Sequence, residues 1–302
     1  MTLQQLRYII AAADSPSLNE AAKKLYISQP SLSGAIHDLE AEIGMEIFRR
    51  SSKGVSLTPE GEEFLGYARA VTEQYQLIEE RYIRQTSIRK RFSVSMQHYT
   101  FAVRAFIELV RQFGMDEYDF AVYETKTSEV ISDVKNFKSE LGILYQSEFN
   151  HRALEKLFRE NNLEFHPLFS CGVYVYMWKG HPLVGKSRIC RDDLEEYPCL
   201  TFDQGLQNSF FLAEEILSTY EYKRTIKAND RATMLNLMIG LNGYTLCSGI
   251  ICEELNGNEY VAVPLDTEER MTIGYIARKG MSVSPLGARY LEEIRKYQEF
   301  IL

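Results

Sequence analysis

The chain has 302 residues, 45% of them hydrophobic and 25% charged, which fits a folded globular protein with about two domains. No apolar run reaches the ~18 residues a membrane span needs, and Arg7 and Asp14 break the N-terminal apolar pattern, which argues against a secretory leader and for a cytoplasmic location. The net charge of -8 argues against a nucleic-acid partner only until its distribution is considered: residues 1–61 carry six bases and seven acids, the remainder holds -7, and Arg49, Arg50 and Lys53 lie within five positions.

The first predicted helix, about 2–13, puts Leu3, Leu6, Ile9 and Ile10 on one side. Ser17-Leu-Asn-Glu20 reads as a capping box opening a short, alanine-rich helix to about Leu25. Tyr26-Ile27 makes a brief turn, and Ser28 caps the next helix with Pro30 in its first turn, where no amide donor is missed. Two short helices joined this way match a helix-turn-helix. The second carries Leu32, Ala35, Ile36 and Leu39 on an apolar face, and its outer face is polar but hardly charged. Residues 49–58 read as a small hairpin, or wing, turning at Lys53-Gly54. Thr58 then caps a long helix, with Pro59 at its first position, running to about Thr86. Within it Phe64, Ala68, Val71, Tyr75, Ile78 and Tyr82 recur at alternating spacings of four and three, a seam that asks for a partner helix from a second copy.

From Arg91 the pattern becomes alternating strands and helices, as in α/β layers. Strands are expected at 92–96, 118–124 and 141–145, with helices at 100–113 and 127–137. A second unit begins near Phe165, with strands at 172–178, 199–202, 224–228 and 244–247. Its helices are expected at 191–195, 209–219, 231–239 and 250–255. Strands 260–264 and 271–277 and a helix 285–297 finish the chain.

The N-terminal third resembles the LysR-type transcriptional regulators. The resemblance rests on Ser17-Leu-Asn-Glu-Ala21-Ala22-Lys-Lys-Leu25, Ser28-Gln29-Pro30-Ser31-Leu32-Ser33, Ile36-His-Asp-Leu39-Glu40, Gly44, Phe48-Arg-Arg50, Lys53 and Leu57-Thr58-Pro-Glu-Gly61. Looser pieces follow: Ser139-Glu-Leu-Gly-Ile-Leu144, His181-Pro-Leu183, Asp193-Leu194, Gly240-Leu-Asn-Gly243 and Ala277-Arg-Lys-Gly280. The resemblance implies a winged helix-turn-helix over 1–60, a dimerising linker helix over 61–89, and a two-lobed α/β effector domain over 90–302, like the periplasmic binding proteins. Lobe one is expected at about 90–163 and 266–302, and lobe two at about 164–265. Double-stranded promoter DNA, a small-molecule effector, dimers and tetramers, and contact with RNA polymerase are the implied partners; no cofactor, metal or membrane partner is implied.

In a recognition helix the N-terminal residues meet base edges. Gln29 suits adenine, Ser31 and Ser33 suit bases or phosphates, and Pro30 suits a thymine methyl. Gly34 removes a side chain where relatives often carry a longer polar one, and His37 reaches a phosphate. Arg50 and Lys53 of the wing suit phosphates or a narrow minor groove, with Arg49 equally open to a solvated role. In the effector domain, strand ends facing helix N-termini favour anions. That reading selects Gln97, His98, Tyr99, Thr100, Thr127, Ser128, Thr201, Phe202, Asp203 and Asn229. Five cysteines (171, 190, 199, 247 and 252) without a CxxC pair read as reduced thiols. A redox sensor using Cys190 and Cys199 stays open as the alternative. An enzyme is disfavoured, because Walker, GxSxG, HExxH and dinucleotide fingerprints are all missing.

Overall fold

A computed structural model describes the chain except residues 52–53, 80–89, 114–116, 206–209 and 302, and it divides into two compact units, Met1–Arg89 and Lys90–Leu302. In the first, α1 (Leu3–Ala13) starts from a reciprocal capping box in which the Thr2 hydroxyl accepts the Gln5 N–H and the Gln5 side chain accepts the Thr2 N–H. The box expected before α2 (Leu18–Lys24) is half made: Ser17 accepts the Glu20 N–H, but the Glu20 carboxylate turns to Lys23 at 2.8 Å. The charge-assisted bond to an ammonium is the stronger one.

Ser28 caps α3 (Gln29–Ile43), which stops at Gly44 in the left-handed region. Leu32, Ile36 and Leu39 of α3 are buried against a core that includes Ile9, Ala21 and Ala22. Glu40, on the same helix, accepts the N–H groups of both Ile47 and Phe48, at 2.8 and 2.9 Å. That clamp fixes where the wing begins: β1 (Phe48–Ser51) pairs antiparallel with β2 (Gly54–Leu57). Thr58 caps α4 (Pro59–Ile78) and donates to the Glu46 carbonyl. A Cβ on Gly61 would sit 2.1 Å from the Ile47 carbonyl oxygen, so only glycine lets α4 cross the wing's root so closely. Phe64 and Ala68, expected at a partner seam, are instead taken up by their own domain, Phe64 against its core and Ala68 buried. Val71, Tyr75 and Ile78 remain exposed, joined by Tyr67, which the heptad pattern omits. The expected continuation of the helix, with Tyr82, lies outside the described residues.

The second unit begins with β3 (Lys90–Met96), α5 (Thr100–Arg111), β4 (Tyr118–Glu124), α6 (Thr127–Lys135) and β5 (Leu141–Gln146). α7 (His151–Glu160) and β6 (Leu163–Cys171) follow. The sequence reading assigns no element to α7, although Leu154, Leu157 and Phe158 share a helical face. The chain then makes β7 (Tyr174–Trp178), β8 (Cys199–Phe202), β9 (Thr225–Ala228), α8 (Arg231–Leu241) and β10 (Thr245–Cys247). Next come α9 (Glu253–Asn256), β11 (Tyr260–Pro264), β12 (Met271–Arg278) and α10 (Pro285–Arg295).

One sheet has the order β4-β3-β5-β12-β6, and its central β5 is buried along its whole length, as a strand covered on both faces must be. In the other lobe β10-β7-β11 and β8-β9 are joined by a parallel bridge between Cys199 and Tyr244, giving β9-β8-β10-β7-β11. The two lobes therefore repeat one topology: a parallel trio, then an antiparallel strand supplied by a crossing segment, then a strand pairing with that one.

Two expectations are corrected. β6, for which the sequence reading has no strand, pairs along β12 in the first sheet, so the first crossing comes after Cys171 and not near Leu163. The helix expected at 209–219 contracts to a single 3-10 turn, Phe210–Leu212. Leu217 has φ 61°, a left-handed value that no continuing helix allows, and Glu214 and Glu215 are both turned inward.

Candidate functional site

Two places bring the selected residues together. The first lies within Met1–Arg89. Gln29, Pro30, Ser33, Gly34 and His37 line one open groove between α3 and the wing, with Arg49 on its opposite wall. Ser31 is exposed, with its hydroxyl 2.7 Å from that of Ser28, so it completes the helix cap. An added Cβ on Gly34 would meet nothing within 4 Å, so the fold itself makes no demand for glycine there. Tyr26, at the turn between α2 and α3, is 96% exposed with φ 56°. A solvent-facing aromatic at this turn is a surface feature that the sequence reading treats only as a connector. The Arg50 side chain and Lys53 lie outside the described residues.

The second is a cleft between the two lobes of the effector unit, enclosing about 80 Å³. His98, Tyr99, Thr100 and Phe202 line it as expected. The His98 ring stacks on Phe202 with centroids 3.7 Å apart and planes 4° from parallel. Gln97 and Thr127 stand behind it: the Gln97 amide donates to the Thr127 hydroxyl at 2.6 Å and its carbonyl accepts from Tyr99 and from the Tyr145 N–H. They position the α5 N-terminus and have little capacity left for a ligand. Asp203 forms a 3.7 Å ion pair with Lys126 of the other lobe. Ser128, Thr201 and Asn229 do not line the cleft; Asp230 caps α8 and Arg231 is the residue that faces inward.

Sequence reasoning misses the residues that dominate this cleft. Glu214 reaches across the lobes, where it accepts the His98 N–H at 2.9 Å and the His98 ring at Nδ1 at 2.8 Å. Gln204 donates to the same carboxylate at 2.9 Å and accepts the Thr127 N–H at 3.1 Å. Three donors thus converge on one carboxylate. Beside it, Glu215 accepts the Phe202 N–H at 2.9 Å. Burial, and then the neighbouring Glu214 charge, push its carboxyl up from 4.5 to about 8. Arg231 bonds Thr100 and pairs with Glu124. Asn256 donates to the Thr100 hydroxyl at 3.0 Å and to the Tyr176 hydroxyl at 3.3 Å. Thr245, a residue only 7% exposed, also lines the cleft, and among the described residues its buried hydroxyl has no hydrogen-bond partner. One signal was available: two adjacent acids inside the apolar run Leu212 to Leu217 are an expensive choice for a surface helix and a reasonable one for a buried site.

All five cysteines are free; Cys199 is buried on β8 with its thiol pushed well up by desolvation. Cys190 is exposed, and its Sγ donates at 3.1 Å to the Asp193 carboxylate, which also pairs with Lys186. Among the described residues no His, Cys, Asp and Glu grouping has the form of a metal site, and no helix is long and apolar enough to cross a membrane.

Comparison with known proteins matches the two units to known domains. Residues 3–62 match the bacterial regulatory helix-turn-helix domain of the lysR family, and residues 99–299 match the LysR substrate binding domain. The chain is 30% identical over 218 residues to the HTH-type transcriptional regulator SsuR of Burkholderia cenocepacia, covering 68% of this chain and 65% of that protein. It is 23% identical over 310 residues to the DNA-binding transcriptional dual regulator OxyR of Escherichia coli, covering 96% of this chain and 92% of that one. A full-length OxyR variant from Pseudomonas aeruginosa superposes with a TM-score of 0.61 at 22% identity, covering 98% of this chain and 95% of the other, a likeness of fold.

Proposed function

This chain belongs to the LysR-type family of bacterial transcriptional regulators, and we propose that it regulates promoters in response to a small molecule held between its two effector lobes. In this reading α3 enters the major groove, with Gln29, Pro30, Ser33 and His37 at base edges or phosphates. The wing residues Arg49, Arg50 and Lys53 supply the phosphate attraction that the helix lacks, so an acidic protein binds DNA through a local basic surface. Val71, Tyr75 and Ile78 of α4, with Tyr67, pair two copies, and dimers assemble further into tetramers. The effector acts by preferring one arrangement of the lobes, which shifts how the paired heads engage DNA and RNA polymerase; only its differential affinity for the two states counts. The protein works in the cytoplasm, where the DNA is.

The supporting observation is the shared groove of α3 and the wing, lined by four residues selected independently for base or phosphate contact, Gln29, Pro30, Ser33 and His37. The test is an electrophoretic mobility shift on DNA from upstream of the protein's own gene, over a range of salt. Arg49→Ala should weaken binding to all sequences and reduce the salt slope by about one. Gln29→Ala should cost about 1–3 kcal/mol on the preferred sequence only. A chain that shows no salt-dependent shift would sink the proposal.

A further inference from the structure

Building on the DNA-binding reading, we infer that Tyr26 is a phosphate contact: its hydroxyl donates to a DNA phosphate at the wall of the major groove that α3 enters, and so positions the helix without reading sequence. Among the described residues five other than glycine hold a positive φ. Two are Asn162 and Asn242, of the residue type that tolerates this region. Phe137 and Leu217 put their side chains to use within the fold: the Arg278 guanidinium lies 3.6 Å from the centre of the Phe137 ring, and Leu217 packs against the effector core. Of the five, only Tyr26 combines the unfavourable backbone with a ring standing almost wholly in solvent. Glycine or asparagine would make the same turn more easily. The turn therefore keeps a tyrosine for a body outside the chain.

Its place in the fold says which body. The Tyr26 N–H bonds the Lys23 carbonyl at the end of α2, and Tyr26 stands two residues ahead of Ser28, the cap of α3. Two residues span at most about 7 Å, less than the ~8.5 Å depth of the major groove. With the first turn of α3 at the base edges, Tyr26 therefore stays at the groove wall, which is the phosphate backbone. The surroundings suit a phosphate. Lys23, paired with Glu20, and Lys24 are both exposed and close α2, and the first helix of such a pair is the one that crosses the backbone. The solvent-facing neighbours in the chain, Lys23, Lys24 and Ser28, are polar, so the ring belongs to no apolar patch that a protein would cover. A phenol hydroxyl is a donor that phosphate oxygens accept.

The test is the mobility shift of the full chain on DNA from upstream of its own gene and on an unrelated duplex, over a range of salt. Tyr26→Phe keeps the ring and removes the hydroxyl; it should weaken binding about tenfold on both duplexes. A neutral donor releases no counterion, so the salt slope should stay that of the parent chain, unlike the loss of about one in Arg49→Ala. Ethylation of one phosphate per half-site should weaken the parent and leave Tyr26→Phe unaffected. Tyr26→Gly should bind as poorly as Tyr26→Phe, while its first thermal transition equals or exceeds the parent's, since glycine takes the turn without strain. Parent-like binding by Tyr26→Phe, a loss confined to the preferred sequence, or a Tyr26→Gly transition lowered by more than about 4 °C would each overturn the phosphate assignment. Where Arg49→Ala weakens binding and the Tyr26 variants do not, only this inference falls. A parent chain that shifts neither duplex would reject the DNA-binding reading along with it.

Discussion

Replacing Glu215 by glutamine should remove most of the alkaline loss of stability from the effector unit. The folded protein holds this carboxyl at about 8 because burial, and then the Glu214 charge, penalise ionisation, whereas the unfolded chain releases the proton near 4.5. A carboxyl raised in the folded state contributes its stability in full below 4.5, loses it as pH rises, and has lost all of it above about 8. The gap of about 3.5 pH units, at 1.36 kcal/mol each, is ~5 kcal/mol, of which about 3 kcal/mol has gone by pH 7. Glutamine has the shape of the protonated acid and still accepts the Phe202 N–H, so the variant lacks this pH dependence while keeping the contact. Thermal unfolding of both proteins from pH 5 to pH 9 isolates the term, since every other titration cancels in the difference. The melting temperatures should agree near pH 5 and separate by on the order of 10 °C at pH 9, with the variant higher. Parallel curves across that range would refute the reasoning.

Gly61→Ala should destabilise the winged domain by about 3 kcal/mol, because the new methyl collides with a backbone carbonyl whose neighbours are clamped by Glu40 and Thr58; the first thermal transition of the full chain reports it. Gly34→Ala should do the opposite, stabilising the same transition by roughly 0.5–1 kcal/mol, since the added carbon meets open space in a helix interior. Glu214→Gln puts an amide N–H₂ among three donors, and should cost about 3 kcal/mol and accelerate exchange of the His98 amide, seen by hydrogen exchange. Ile78→Glu should shift the sedimenting species toward monomer while leaving the fold unchanged, since Ile78 is exposed.

The head of the molecule was legible in the sequence because its signals are local. Ser28, Pro30 and Thr58 are caps at fixed offsets, and Leu32, Ile36 and Leu39 recur at a helical period, so the elements follow from neighbouring residues alone. The seam of α4 was half legible. A heptad pattern says that a face is apolar, not which body covers it, and the first two of its members were taken by their own domain. In the effector unit the strand ends at His98 and Phe202 were found by the rule that ligands gather there. Glu214 and Glu215 were not, because their role depends on partners 116 and 13 residues away in sequence. The assumption of a helix at 209–219 also hid them, since as helix residues they read as solvated charges.

The strand β6 pairs with β12 alone, and β12 begins 100 residues after the chain leaves β6. As the polypeptide emerges from a ribosome, β3, β4 and β5 have each other, but β6 must wait until the whole of β7 to β11 has been made. The second lobe is one uninterrupted stretch and has every strand it needs by Pro264. The lobe that begins first is thus the one finished last. Until it is finished, the nascent chain carries one complete lobe and one sheet with an open edge, and the cleft between them has only one fully formed wall.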